Sequence, residues 1–347
     1  MRLKGHVFTF GYRRLSGRKP MKPLLRLTVL ATLLASTSTF ASDKITFQLD
    51  WLPGGDKAPV YVGVQEGFFA KEGLDVTIEN GRGSAEAMTK IATGQSQFGT
   101  SDIGILMAEK AKETIPVVAV QSYFTKTPDA FFTLKGSGIH SVKDLKGKKI
   151  ATSPFSSSNL FLPLVLKANG LKESDIDLIK SDPGTLGPML VTQNTDAIIA
   201  WVTNTALYEE LTHNAGKQLV EIPWSDSGYS IYSSSLLASE KYLKTHPDVS
   251  KRFIRAFSKA TKFTFEHPDK AGEDLHKMVP EAEAKIVAAQ IRGIHDLVYN
   301  DVTTRYGAGK FSPKRLAQTW KVVAKANNLK VTDLDPNTVV DFDYAAE

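Results

Sequence analysis

Two short loops in this 347-residue chain gather the polar groups that could hold a ligand. Ser153-Pro154-Phe155-Ser156-Ser157-Ser158-Asn159 places four hydroxyls and an amide just ahead of an apolar stretch that reads as helix. Backbone N–H groups at a helix start lack intrahelical partners, and the dipole adds about half a positive charge there. Such a loop suits a neutral polar or anionic group, although it could equally be a solvated helix cap. Gly81-Arg82-Gly83-Ser84 offers the same arrangement, with Ser84 expected as the N-cap and Glu86 in the first turn. Its glycines would let the backbone approach a ligand, and its bland alternative is a simple turn. Glu86 stands where a dinucleotide fingerprint needs its third glycine.

Trp51, Tyr61, Phe155 and Trp201 lie in or beside these and related loops. A pair of them could sandwich a flat ring, gaining about 0.5–1.5 kcal/mol beyond the area buried, though each could instead pack in a core. Asp50 and the Ser101-Asp102 pair end predicted strands, and Asn204 closes Trp201-Val202-Thr203-Asn204. Their carboxylates could accept from ligand N–H groups or cap the next element.

Signals for catalysis are weak. His140, His213, His246, His267, His276 and His295 show no zinc-binding spacing, and no Walker A loop occurs. Gly99-Thr100-Ser101-Asp102-Ile103 lacks the second glycine of a nucleophile elbow. Lys57 could be a Schiff-base lysine, but it reads more simply as a surface residue. With no cysteine there is no disulfide, thiolate metal site or cysteine nucleophile.

Alternating strands and helices must position these loops. Strands are expected at Lys44–Asp50, Leu74–Glu79, Gln97–Asp102 and Ile115–Val120, with helices over Ala58–Phe69, Ser84–Thr93 and Ile103–Glu113 between them. A second series follows: strands Lys148–Thr152, Asp177–Lys180 and Asp196–Ala200, with helices Ser156–Ala168, Leu186–Thr192 and Asn204–Thr212. Each series implies a parallel sheet covered by helices, with ligand groups at the strand ends. Thr127–Lys135 is an extended segment crossing from the first series to the second, and Tyr229–Leu237 is expected to cross back. The expected division is therefore 42–130 with 235–347 as a discontinuous first lobe and 131–234 as an inserted second lobe. The last third is helical, with Phe253, Phe257 and Ala260 on one core-facing stripe.

The first 41 residues carry eight basic and no acidic side chains, then the apolar run Leu27–Ala35 and Thr39-Phe40-Ala41. This is the pattern of a signal peptide cut near Ala41, starting at Met1 or Met21. Ser42 follows, so no lipid-anchoring cysteine is available. The whole chain holds 43 Lys and Arg against 37 Asp and Glu; beyond the leader 35 basic residues face 37 acidic ones. The balance gives no basic field for nucleic acid or an anionic membrane. Export to a periplasm is the expected destination.

Leu49-Asp50-Trp51-Leu52-Pro53, the stretch Tyr61–Val76, Ile91–Gly99, Val142–Ile150 and Asp196–Trp201 resemble the periplasmic substrate-binding proteins of nitrate, sulfonate, taurine and thiamine-pyrimidine-precursor importers. The resemblance implies an α/β type II periplasmic-binding fold, in which two lobes joined by two crossing strands close around a ligand cleft. It implies no cofactor and no metal. Expected partners are one small solute, a membrane permease and, through it, a cytoplasmic ATPase, with the binding protein itself a monomer. Asp50-Trp51 matches the opening motif of the pyrimidine-precursor binders, and Ser153–Asn159 the anion loop of the sulfonate binders. Trp201 also matches sulfonate-type members, which continue with an acidic residue and proline where this chain has Val202-Thr203-Asn204. The favoured solute is a thiamine-pyrimidine-precursor-like heterocycle, with alkanesulfonate, taurine or nitrate as alternatives. Related pyrimidine-synthesising enzymes use a lysine-bound pyridoxal phosphate, a histidine and a cysteine-rich iron segment. This chain has Lys57-Ala58-Pro59 where that histidine is expected, and no cysteine, so the resemblance implies a binding protein rather than an enzyme.

Overall fold

The computed structural model describes residues 9, 11, 42–227 and 230–345. The leader over 1–41, apart from Thr9 and Gly11, and Tyr229 at the start of the expected return crossing lie outside the described residues.

Two five-stranded sheets organise the chain. The first is built from β1 (Asp43–Gln48), β2 (Leu74–Glu79), β3 (Phe98–Asp102), β4 (Val117–Ser122) and, from far along the chain, β10 (Ser234–Ser239), in the order β2-β1-β3-β10-β4. The second contains β5 (Asp129–Leu134), β6 (Lys149–Thr152), β7 (Asp177–Lys180), β8 (Ala197–Trp201) and β9 (Leu219–Pro223), in the order β7-β6-β8-β5-β9. The helices between them are α1 (Ala58–Gln65), α2 (Ser84–Ala92), α3 (Ile103–Lys110), α4 (Ser158–Ala168), α5 (Pro183–Val191) and α6 (Thr205–Asn214). The C-terminal third adds α7 (Pro247–Glu266), α8 (Pro268–Met278), α9 (Ala284–Gly293) and α10 (Pro313–Ala326).

The expectation of parallel sheets needs correction, because both sheets are mixed. In each, the fourth strand in order runs antiparallel to both neighbours: β10 to β3 and β4, β5 to β8 and β9. The cause is connectivity. β1, β3, β6 and β8 run toward the cleft and end there, whereas β5 and β10 each arrive from the other sheet and run away from the cleft. Thr127–Lys135 is thus not one crossing segment: Tyr123–Pro128 crosses, and Asp129–Leu134 is already a fully buried strand of the second sheet. Likewise Ser234–Leu237 belongs to β10. The helix expected over Ala58–Phe69 is broken at Gly67, whose φ of 70° ends α1 and begins the short helix Phe68–Lys71.

Apolar residues pack both faces of both sheets. On the outer face of the first sheet, Phe253 of α7 stacks on Phe98 (4.2 Å between centroids) and Phe69 (5.1 Å). Phe253, Phe257 and Ala260 are buried there, the core stripe that helical spacing predicts. Truncating Phe253 would cost about 3–5 kcal/mol through the cavity left behind. A separate cluster around Phe132, Leu186, Leu190 and Tyr208 covers one face of the second sheet. Leu316, Trp320 and Val323 of α10 join a third cluster with Ile103 and Leu106 on one side and Phe161 and Leu162 on the other, so one apolar core runs behind the cleft from sheet to sheet.

Candidate functional site

The strand ends of the two sheets face each other across a nearly closed cleft, whose cavity volume is about 20 Å³. Asp50, Trp51, Asp56, Gly83 and Ser84 line it from the first sheet; Ser156, Ser157, Ala200, Trp201, Thr203 and Asn204 line it from the second.

At the centre of the first wall is a buried charge cluster. Lys57, in the single turn leading into α1, has no exposed side-chain surface, which corrects its reading as a surface lysine. Its ammonium lies 2.5 Å from Asp50 Oδ1 and 2.7 Å from Asp56 Oδ2, and 5.4 Å from the Trp201 ring centre. Burial alone would pull the Lys57 pKa down, but the two carboxylates outweigh it and hold the amine charged. Burial pushes the Asp56 carboxyl up, with Lys57 opposing. Asp50 also accepts from Thr100 Oγ1 at 2.7 Å and Ser84 Oγ at 3.3 Å. Two acids thus share one lysine on this wall.

The loop carrying these groups is held from behind. Gly55 donates its backbone N–H to Gln290 Oε1 on α9 at 2.9 Å, and a Cβ at Gly55 would fall 2.5 Å from Gln290 Cβ. The same α9 packs against α6 of the second sheet. Gln290, Asp56, Lys57 and Thr203 are residues that motif reasoning did not select. The one sequence signal for the cluster is the pair of acids flanking the loop, Asp50 and Asp56, beside a lysine.

Deeper in, Asp102 and Asp129 sit at the base of the two lobes. Asp102 accepts from Ser233 Oγ at 2.5 Å and from the Gly104 N–H at 2.7 Å. Burial pushes its carboxyl up to about 7, with the charges of Asp129 and Asp50 adding to the effect. Asp129, the first residue of β5, accepts from Ser158 Oγ at 2.5 Å and from the Trp201 indole N–H at 3.1 Å. Burial raises it to about 6 against those two bonds.

Several predicted site residues have other work. Ser84 is not an N-cap: Gly83 holds that position, and the Ser84 hydroxyl accepts from the Asp102 N–H at 3.1 Å. Ser101 donates to the Ser84 carbonyl, and Asp102 caps α3 rather than lining the cavity. Tyr61 is buried in the first sheet's outer core, and burial raises its hydroxyl to about 12. Ser158 serves Asp129, and Asn159 holds its own loop through Ser153 O at 2.8 Å while accepting from Lys180. Arg82 and Phe155 stand at the rim, the guanidinium 4.9 Å over the ring and paired with Glu86.

That rim joins the lobes directly. Ser153 Oγ donates to Arg82 O at 2.5 Å, and the Ala85 N–H donates to Phe155 O at 3.2 Å. A Cβ at Gly83 would lie 2.2 Å from the Phe155 carbonyl, so only glycine permits this approach. Some helix-start donors are thereby engaged within the protein. The Ala85 N–H is taken by Phe155, Ser158 N–H by Ser156 Oγ and Gly104 N–H by Asp102. One cavity-lining group remains unpaired: the buried Ser157 hydroxyl has no hydrogen-bond partner.

The related enzymes' pyridoxal phosphate does not fit these residues. Lys57 is kept protonated between two carboxylates, and the cavity wall holds no basic side chain for a phosphate. No cluster of possible metal ligands occurs among the described residues.

Comparison with known proteins places this geometry in a family. The chain is 28% identical over 252 residues to a protein of Haemophilus influenzae named for thiamine biosynthesis, covering 72% of this chain and 79% of that one. It is 25% identical over 297 residues to a 4-amino-5-hydroxymethyl-2-methylpyrimidine phosphate synthase of Saccharomyces cerevisiae, covering 82% of each. The periplasmic aliphatic sulphonate binding protein SsuA from Escherichia coli has the same fold at a TM-score of 0.66 and 16% identity, covering 87% of this chain and 92% of that one. The two lobes around a cleft are thus the fold of the substrate-binding proteins of ABC importers. The match over residues 55–271 makes the chain a member of the NMT1/THI5-like family.

Proposed function

We propose that the chain is the solute-binding component of an ABC importer and captures a small, planar, N–H-rich nitrogen heterocycle. One observation carries the reading: the cavity wall pairs two indoles, Trp51 and Trp201, with two carboxyl groups, Asp50 and Asp56, that share the single ammonium of Lys57. Aromatic faces favour a flat ring, and ionised carboxylates favour ligand N–H donors or a protonated ring. The same acids disfavour nitrate and simple alkanesulfonates, whose net negative charge would meet carboxylates. Ser157 supplies an unpaired hydroxyl for one further ligand contact. The names of the Haemophilus and yeast relatives, which concern thiamine and its pyrimidine, support the same chemical class.

In this proposal residues 1–41 are an export signal cut near Ala41, and the protein works as a periplasmic monomer. It delivers its solute unchanged to a membrane permease and needs no cofactor. Ligand meets one lobe first, the other closes over it, and the rim contacts Ser153–Arg82 and Ala85–Phe155 mark the closed form. Tyr123–Pro128 and the segment before Ser234 absorb the change. The yeast relative raises a second reading, a pyrimidine-forming enzyme. A lysine held charged by Asp50 and Asp56 is a poor nucleophile, which favours binding over covalent chemistry.

Mass spectrometry of the compound released from gently purified protein tests the proposal. A ring compound bearing amino or ring N–H groups is expected. A sulfonate, or a product formed from added substrate, would overturn it.

A further inference from the structure

A second cavity lies in the first lobe, away from the cleft. It is bounded by α7, β4, β10 and the Val298-Tyr299 turn, and its volume is about 450 Å³. We propose that this cavity is a second binding site, taking a neutral, flat molecule of one or two rings with a hydrogen-bonding group at its inner end.

Its lining is aromatic and unevenly covered. Phe257 and Val298 are buried, while the rings of Phe265 and Tyr299 are only half-buried and meet edge to face at 5.4 Å and 81°. Tyr123, another lining residue, meets Phe265 at 6.4 Å and 61°. It is 4% exposed, yet its hydroxyl has no hydrogen-bond partner. A buried hydroxyl left unpaired is a cost that a ligand with a matching polar group would remove. Lys262 and Glu266 stand at the exposed edge, with their charged atoms 3.7 Å apart, so they largely cancel and select for no ligand charge. Aromatic walls, a buried polar end and a near-neutral mouth together describe the ligand.

This space is distinct from the cleft. Tyr123 stacks on Phe124 at 4.7 Å, and Phe124 tilts against Trp201 at 6.0 Å, so stacked rings partition the two. Burial, with the charges of Asp56, Tyr299 and Asp50 adding to it, raises the Tyr123 hydroxyl well above its ordinary pKa.

Titration of purified protein with indole, followed by protein NMR and calorimetry, tests the proposal. Saturable binding with a dissociation constant of about 1 mM or tighter is expected. Val298→Trp, which fills the cavity, should abolish it, while Trp51→Ala in the cleft should leave it intact. Tyr123→Phe, which removes only one oxygen and is expected to fold, should weaken it about fivefold. No saturable binding overturns the proposal. So does binding that Tyr123→Phe leaves unchanged, or binding that Trp51→Ala removes while Val298→Trp does not.

Discussion

The two walls of the cleft are built on opposite plans. The first carries a closed charge network, in which Lys57 is shared by Asp50 and Asp56 and Asp50 is further held by Thr100 and Ser84. The second carries neutral groups, Ser156, Ser157, Thr203 and Asn204, and its one acid, Asp129, is withdrawn behind Ser158 and Trp201. In the proposed function the charged wall sets what kind of molecule is accepted, and the neutral wall, with its unpaired Ser157 hydroxyl, completes the contacts on closure. Preorganised charge on one side and adaptable hydroxyls on the other divide specificity from capture.

The largest way to break that division is Asp50→Leu. It strips Lys57 of one of two buried partners, and breaking a buried pair costs about 3–5 kcal/mol. Melting should fall by about 6 °C or more, and ring-ligand affinity should vanish from calorimetry. Retained affinity would mean that the acidic wall does not recognise the solute. Gly83→Ala attacks the meeting of the walls instead, since its Cβ would strike the Phe155 carbonyl at 2.2 Å. The open form should then predominate in small-angle scattering and affinity should drop at least about tenfold, because the closed form is less populated. Unchanged compaction with ligand would remove closure from the mechanism.

A smaller effect sharpens the comparison through pH. Asp102 and Asp129 are raised to about 7 and about 6, above the ordinary carboxyl value of about 3.9 in the unfolded chain. The folded protein therefore holds protons that the unfolded chain releases, and stability is lost as pH rises from about 4 through about 7. Glu72 and Glu86 shift the other way, but their contribution is lost only below the ordinary glutamate range. The melting temperature should rise as pH is lowered from about 8 to about 5, and Asp102→Asn should flatten the slope. A melting temperature that fell across that window would contradict the burial assigned to these acids.

Local pattern made much of the fold legible. Period-two alternation located Leu74–Glu79 with the observed bounds, the strand expected at Asp177–Lys180 has its observed bounds too, and the Phe253–Phe257–Ala260 stripe faces the core. What it did not reveal was direction. Asp129–Leu134 reads as an extended crossing because nothing in six residues shows that they pair antiparallel with two strands from later in the chain. The edge strand Leu219–Pro223 is short, only half-buried throughout and ends in proline, so it leaves no alternation to detect. In the cleft, motif reasoning selected residues by type: Asp50, Trp51, Gly83, Ser84, Ser156, Ser157, Trp201 and Asn204 line the cavity. It could not separate Ser84 from an N-cap or Lys57 from a surface lysine. Those distinctions depend on which buried partners a fold brings together, Asp102 in one case and two aspartates in the other.

The most direct measurement compares affinities by calorimetry at neutral pH for 4-amino-5-hydroxymethyl-2-methylpyrimidine and for ethanesulfonate. An acid-walled, indole-lined cleft predicts a dissociation constant near about 1 μM for the pyrimidine and binding at least about 100-fold weaker for ethanesulfonate. Tighter binding of ethanesulfonate than of the pyrimidine would contradict the account.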